Sequence, residues 1–357
     1  MNAPLRFLLY ILILGPLVSH AQRPERLPFT KGVYGDPGAL LRNGESFRSL
    51  GINSIFVRST SLDDELYHAA RKERVRVYVE FPTLNGADYL EDHPEAWPVN
   101  DKGERAAPAD WFMGVCLTDS GFRKHREAQL RTLLTKYSVD GVWLDYLHWH
   151  AQFETPEPIL PETCFCERCL NIFQEAKGVE LPSGDAAAKA EWIFSNLDSV
   201  WRQWRSEVLS QWVTNMKSIV REVRPGALLG IYYCPWYPED FDGALFRILG
   251  LDLMGLARIV DVLSPMLYHR MMERSSDWVG EYVHWLGSVL IAERRRTRIW
   301  PIVQAHNKPG VITTEEFRRV MWNGSRAPAS GIMMFTFNTL VDEPAKLEVM
   351  KDLYRKR

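Results

Sequence analysis

The chain has 357 residues, 46% hydrophobic and 25% charged, with 43 Lys plus Arg against 45 Asp plus Glu. That composition is globular and sufficient for a large core, and it lacks the basic excess that marks a nucleic-acid binder. No tract is low in complexity, and no charge run is long enough to act as a tail.

Met1 to Gln22 reads as an export signal. Arg6 is the basic flank, Phe7 to Val18 the apolar core, and Ser19 and Ala21 the small residues a signal peptidase reads. The apolar run is short for a bilayer span, an uncleaved anchor being the alternative, and no later segment is long and apolar enough to cross. The expected division is a signal peptide over 1–21 and one domain over 22–357, secreted or periplasmic. Asn323-Gly-Ser325 fits a glycosylation sequon.

Short β-rich runs then recur, each followed by a helix or loop. They are Gly32 to Tyr34, Ser54 to Val57, Val75 to Val79, Gly141 to Leu144, Leu228 to Tyr233, Val262 to Met266, Ile299 to Val303 and Gly331 to Phe335. Helical periodicity falls over Leu62 to Arg74, Arg123 to Tyr137, the Trp-rich Ala186 to Val223, Thr314 to Trp322 and Pro344 to Tyr354. Eight strands alternating with helices predict a (β/α)8 TIM barrel with long loops after strands three and four. The alternative, an open doubly wound sheet, lacks its Gly-rich phosphate turn.

The two long loops run from Asn85 to Cys116 and from Trp149 to Thr163, both at the strand ends where barrel active sites lie. Asp145 closes the fourth strand run, a costly place for a charge unless it is used, although a helix cap or an Arg partner would also explain it. Glycosidic cleavage needs two carboxyl groups. Candidate partners are Glu80 at the end of strand three and Glu239 and Asp240 after strand five. Aromatic and polar residues gather at the same ends: Trp111, Tyr146, His148, Trp149, Trp236, Tyr268 and Asn338. They suit the apolar faces and the hydroxyls of sugars.

Cys164, Cys166 and Cys169 form C-x-C-x-x-C, and Cys116 is the candidate fourth ligand of a structural zinc ion. A Cys116 disulfide or simple buried thiols are the alternatives.

Cys116 to His125, Gly141 to Asp145 and Cys164 to Phe173 together resemble the family 42 glycoside hydrolases, β-galactosidases that bind a structural zinc through four cysteines. The resemblance covers about sixty residues and implies zinc on Cys116, Cys164, Cys166 and Cys169. Family 42 carries its acid/base glutamate two positions after the strand-four aspartate. Leu147 stands there, so β-galactosidase activity does not carry over. The barrel-wide pattern is similar to single-barrel glycosyl hydrolases whose strand-four aspartate is assigned as catalytic, which maps to Asp145. The expectation is an exported enzyme cleaving O-glycosidic bonds of a poly- or oligosaccharide. A non-catalytic carbohydrate-binding barrel is the rival. A metal-dependent deacetylase would need His and carboxylate ligands at an open site, and no such spacing converges.

Overall fold

The computed structural model describes residues 29–109 and 111–357; the expected leader over 1–21 lies outside them. The strands are β1 (Thr30–Tyr34), β2 (Ser54–Arg58), β3 (Arg76–Pro82), β4 (Gly141–Asp145), β5 (Leu228–Tyr233), β6 (Val262–Leu267), β7 (Arg298–Ile299), β8 (Ile302–Gln304) and β9 (Gly331–Phe335). All pair in parallel, β1 with β9, and β5 with β6, so the sheet closes on itself. β7 and β8 both pair with β6 and are two halves of one stave, giving eight staves. The expected run from Ile299 to Val303 is split because Pro301 has no N–H to donate. The architecture is the predicted (β/α)8 barrel.

Alternation along the strands sorts the barrel interior into layers. Phe56, Tyr78, Trp143 and Trp300 fill the bore and are almost wholly buried. Trp143 stacks on Trp300 at 5.4 Å, Phe56 meets Trp143 edge-on at 5.0 Å, and Trp143 Nε1 donates to Ser264 Oγ at 2.9 Å. Gly230 on β5 faces this plug. A Cβ there would stand 2.2 Å from the Trp143 ring, so glycine is required. Two residues further along each strand lie Tyr34, Arg58, Glu80, Asp145, Tyr232 and Met266. The aromatic plug is therefore the floor on which the next, polar layer stands.

The long Trp-rich region is two helices, Ala186–Asn196 and Asp198–Val223. Asn196 turns its amide back to the Trp192 carbonyl at 2.8 Å and Leu197 leaves helical geometry at ψ 21°. Of the four tryptophans expected in the core here, Trp201, Trp204 and Trp212 are buried, while Trp192 is half-buried. Among the described residues, no helix is long and apolar enough to cross a membrane.

The two insertions cover the C-terminal mouth and hold each other. Asn85 bridges Gly114, Asn100 bridges Thr163, and Gln152 bridges Ile159. The Phe165 N–H donates to the Val99 carbonyl at 2.8 Å, joining the β4 insertion to the β3 insertion.

Candidate active site

β4 ends in Asp145 and then turns sharply. Tyr146 adopts a left-handed φ of 51°, uncommon for a bulky residue and held here by its surroundings. Phe112 lies flat against its ring at 5.3 Å. The Tyr146 N–H donates to Asp145 Oδ1 at 2.8 Å, and the Asp145 carbonyl accepts from the backbone N–H and hydroxyl of Thr83 at 2.9 and 2.7 Å. One backbone N–H thus holds the carboxyl, and Thr83 holds the main chain of the same residue.

Glu80, in the same layer on β3, is 2% exposed and sits behind the cavity rather than in its wall. It accepts from the Tyr34 hydroxyl, and Arg58 Nε stands 3.6 Å away and donates to the Tyr34 oxygen at 3.2 Å. Burial pushes the Asp145 carboxyl well up, and the negative Glu80 and Glu154 add to this. Burial also raises Glu80, opposed by the Tyr34 hydrogen bond and the Arg58 charge. Only Glu80 has these two stabilising neighbours, so the pair keeps its charge on Glu80 and its proton on Asp145.

The cavity above them has a volume of about 340 Å³. Tyr34, Arg58 and Asp145 form one side; Cys234, Leu251, Met266 and Ile302 form an apolar side. A second carboxyl enters from the β4 insertion. Glu154 lines the cavity, and its Oε2 accepts from Trp111 Nε1 at 2.8 Å. Burial lifts it to about 7, with the Trp111 hydrogen bond pulling the other way. Among the described residues, the buried Tyr232 hydroxyl and His306 Nε2 on the wall find no hydrogen-bond partner. Burial and the nearby Lys308 and Lys346 hold His306 down at about 4, so it is neutral.

Of the residues singled out from sequence, Asp145, Trp111, Tyr146, His148 and Tyr268 meet in this cavity, with Glu80 directly behind. Trp149 is buried outside the cavity against the helix Asp198–Val223, where it donates to the Arg205 carbonyl at 3.2 Å. Asn338 is exposed and accepts from the Asp36 N–H at 3.0 Å. Glu239 is exposed, and Asp240 accepts from the Tyr237 N–H at 2.9 Å and pairs with Arg274 at 3.3 Å. The loop after β5 closes as a turn around Asp240, which keeps both carboxylates out of the cavity. Trp236 belongs to a neighbouring groove. Glu154 was not singled out, because nothing local distinguishes it; its only signal is a Phe-Glu pair inside an insertion on the active face.

The four cysteines do converge. The thiol sulfurs of Cys116, Cys164, Cys166 and Cys169 lie within 4.8 Å of one another. Cys116 stands 3.4 Å from Cys169 and 3.7 Å from Cys166, too far for a disulfide of about 2.05 Å. A tetrahedral ion with bonds of about 2.3 Å sets its thiolates about 3.8 Å apart, so the cluster could hold a metal ion. Cys116 closes the β3 insertion and Cys164 closes the β4 insertion, while Cys166 caps the helix Glu167–Lys177. The cluster therefore staples the two loops that carry Trp111 and Glu154.

No protein-family model and no curated protein sequence matches the chain. Solved structures do. The glycoside hydrolase domain of PgaB (BpsB) from Bordetella bronchiseptica superposes with a TM-score of 0.67 at 12% identity, over 92% of this chain and 99% of that one. A catalytic mutant of Gan42B, a family 42 β-galactosidase from G. stearothermophilus, gives 0.64 at 15% identity, over 92% of this chain and 57% of that one. The α-L-fucosidase isoenzyme 2 of Paenibacillus thiaminolyticus gives 0.59 at 13% identity, over 92% and 49%. The chain thus spans about half the length of the galactosidase and the fucosidase. The barrel has the fold of glycoside hydrolase catalytic domains.

Proposed function

We propose that this protein is an exported glycoside hydrolase acting on a poly- or oligosaccharide. The observation that carries this reading is the pair of carboxyl groups, Asp145 and Glu154, on one aromatic cavity at the C-terminal mouth of the barrel. Asp145 keeps its proton and acts as the acid that protonates the departing glycosidic oxygen. Glu154, charged above about pH 7, is the second carboxylate, and the Trp111 indole steadies that charge. Glu80 stands behind the cavity wall, and its charge, steadied by Tyr34 and Arg58, holds the proton on Asp145. Tyr146, Phe112 and Tyr268 offer faces for sugar rings.

We assign the metal of the cysteine cluster as zinc. Four thiolates close its coordination sphere, so the ion supplies folding energy and no open position for chemistry. Its task is to lock the two insertions over the cavity.

The experiment is a screen of purified protein against defined polysaccharides and aryl glycosides, with Asp145→Asn and Glu154→Gln as controls. New reducing ends from the parent protein, absent from both variants, support the assignment. Binding without cleavage by the parent protein would instead make it a carbohydrate-binding barrel.

A further inference from the structure

A second groove lies beside the catalytic cavity and shares a wall with it. Thr155 and Met272 line the groove, while their chain neighbours Glu154 and Met271 line the cavity. The groove has a volume of about 230 Å³ and a base of Trp236 and Trp278. Phe153, in the cavity wall, meets Trp236 edge-on at 6.0 Å, and Phe241 leans on Trp236 at 4.5 Å. Aromatic rings therefore run without a break from the cavity into the groove.

Phe241 is displayed against two costs. It is 42% exposed, and its φ is 51°. The next residue, Asp242, has a φ of 55°, and Glu273 on the opposite bank has 49°. A bulky aromatic in the left-handed region is a strained arrangement that the surroundings must hold in place. The hold is visible. Arg247 donates to the Asp242 carbonyl at 2.9 Å, and Arg274 from the β6 loop pairs with Asp240 of the β5 loop at 3.3 Å. Glu273 and Arg274 bring charged groups to the same groove. A fixed ring at the surface, flanked by hydrogen-bonding groups, matches the C–H face and the hydroxyls of a sugar.

We propose that this groove is a second sugar-binding subsite, continuous with the catalytic cavity. The protein then grips a glycan chain over several units instead of one terminal sugar. That the neighbouring cavity is catalytic rests on the glycosidase assignment; the binding of a glycan chain across cavity and groove does not.

The test uses Asp145→Asn on a printed array running from single sugars to hexasaccharides. Binding should strengthen with chain length. Adding Phe241→Ala should weaken binding to the longer chains about tenfold, or about 1.4 kcal/mol, with little change for single sugars. Phe241→Tyr should restore it, since the ring is kept. Phe241→Gly relaxes the left-handed backbone and should lose chain binding at an unchanged melting temperature. Chain-length independence, equal weakening of single sugars and chains, or no glycan bound at all would each overturn the subsite. Chain binding that needs Phe241, from a parent protein that cleaves none of those chains, keeps the subsite and removes the glycosidase assignment.

Discussion

Trp111→Phe isolates the second carboxyl. The indole Nε1 lies 2.8 Å from Glu154 Oε2 and favours its ionised form, against the burial that lifts the group to about 7. Phenylalanine keeps an aromatic ring and removes the donor. A hydrogen bond to a charged group contributes about 1.5 kcal/mol, and one pKa unit is about 1.4 kcal/mol, so the carboxyl rises by about one unit at most. Trp111 is 42% exposed, and water replacing the lost donor cuts the rise to roughly half a unit. The ionised fraction at neutral pH then falls from about one half to roughly one quarter, or to about one tenth at the limit. The assay is kcat/KM against pH between about 5 and 10, where the acidic limb reports the group that must be charged. That limb should move to higher pH, costing roughly two- to fivefold at neutrality and nothing on the alkaline plateau. An acidic limb that stays in place, or a shift confined to the alkaline limb, would show that Glu154 is not the carboxylate that must ionise.

Asp145→Asn should lower kcat at least about a hundredfold, because the amide has no proton to give to the leaving oxygen. Its melting temperature should be nearly unchanged, since the fold holds Asp145 in its neutral form and asparagine keeps that charge and shape; a fall of several degrees would mark Asp145 as a structural partner. Cys166→Ser should lose bound zinc and melt lower, and metal analysis of a parent protein with no zinc would end the metal assignment. Burial holds the His148 ring at about 4, below its unfolded value of about 6.5, so the fold favours the neutral ring. The stability this provides is whole above pH 6.5 and is lost as pH falls toward 4. Glu154 runs the opposite way, the fold favouring its protonated form, so the urea midpoint should be followed in Glu154→Gln, where His148→Gln should flatten the acid-side loss.

The barrel was legible because its signals are local. Eight apolar runs separated by helices leave few other topologies, and a run ending in Asp145 sets that carboxyl at the C-terminal mouth. The cysteine spacing was legible for the same reason, since Cys164, Cys166 and Cys169 fall within six residues at a helix start. The split of the seventh stave was written in Pro301, although the pattern alone reads as one strand. Proximity across the barrel was decided elsewhere. Glu239 and Asp240 follow β5 as naturally as Glu154 follows β4, and no period or motif separates them. What separates them is that the β5 loop closes on itself, with Asp240 holding the Tyr237 N–H and Arg274. The β4 insertion is instead pinned to the β3 insertion by the Asn100–Thr163 bridge and the four thiols, and so leans over the mouth. Trp149 and Trp236 were equally good aromatic candidates in sequence, and packing alone sent one against the helix Asp198–Val223 and the other into the next groove. Strand order and inward positions follow from a period of two, which one chain carries in itself. The environment that sets the charge of Asp145 and Glu154 comes from residues tens of positions apart, and only the closed barrel with its stapled loops brings them together.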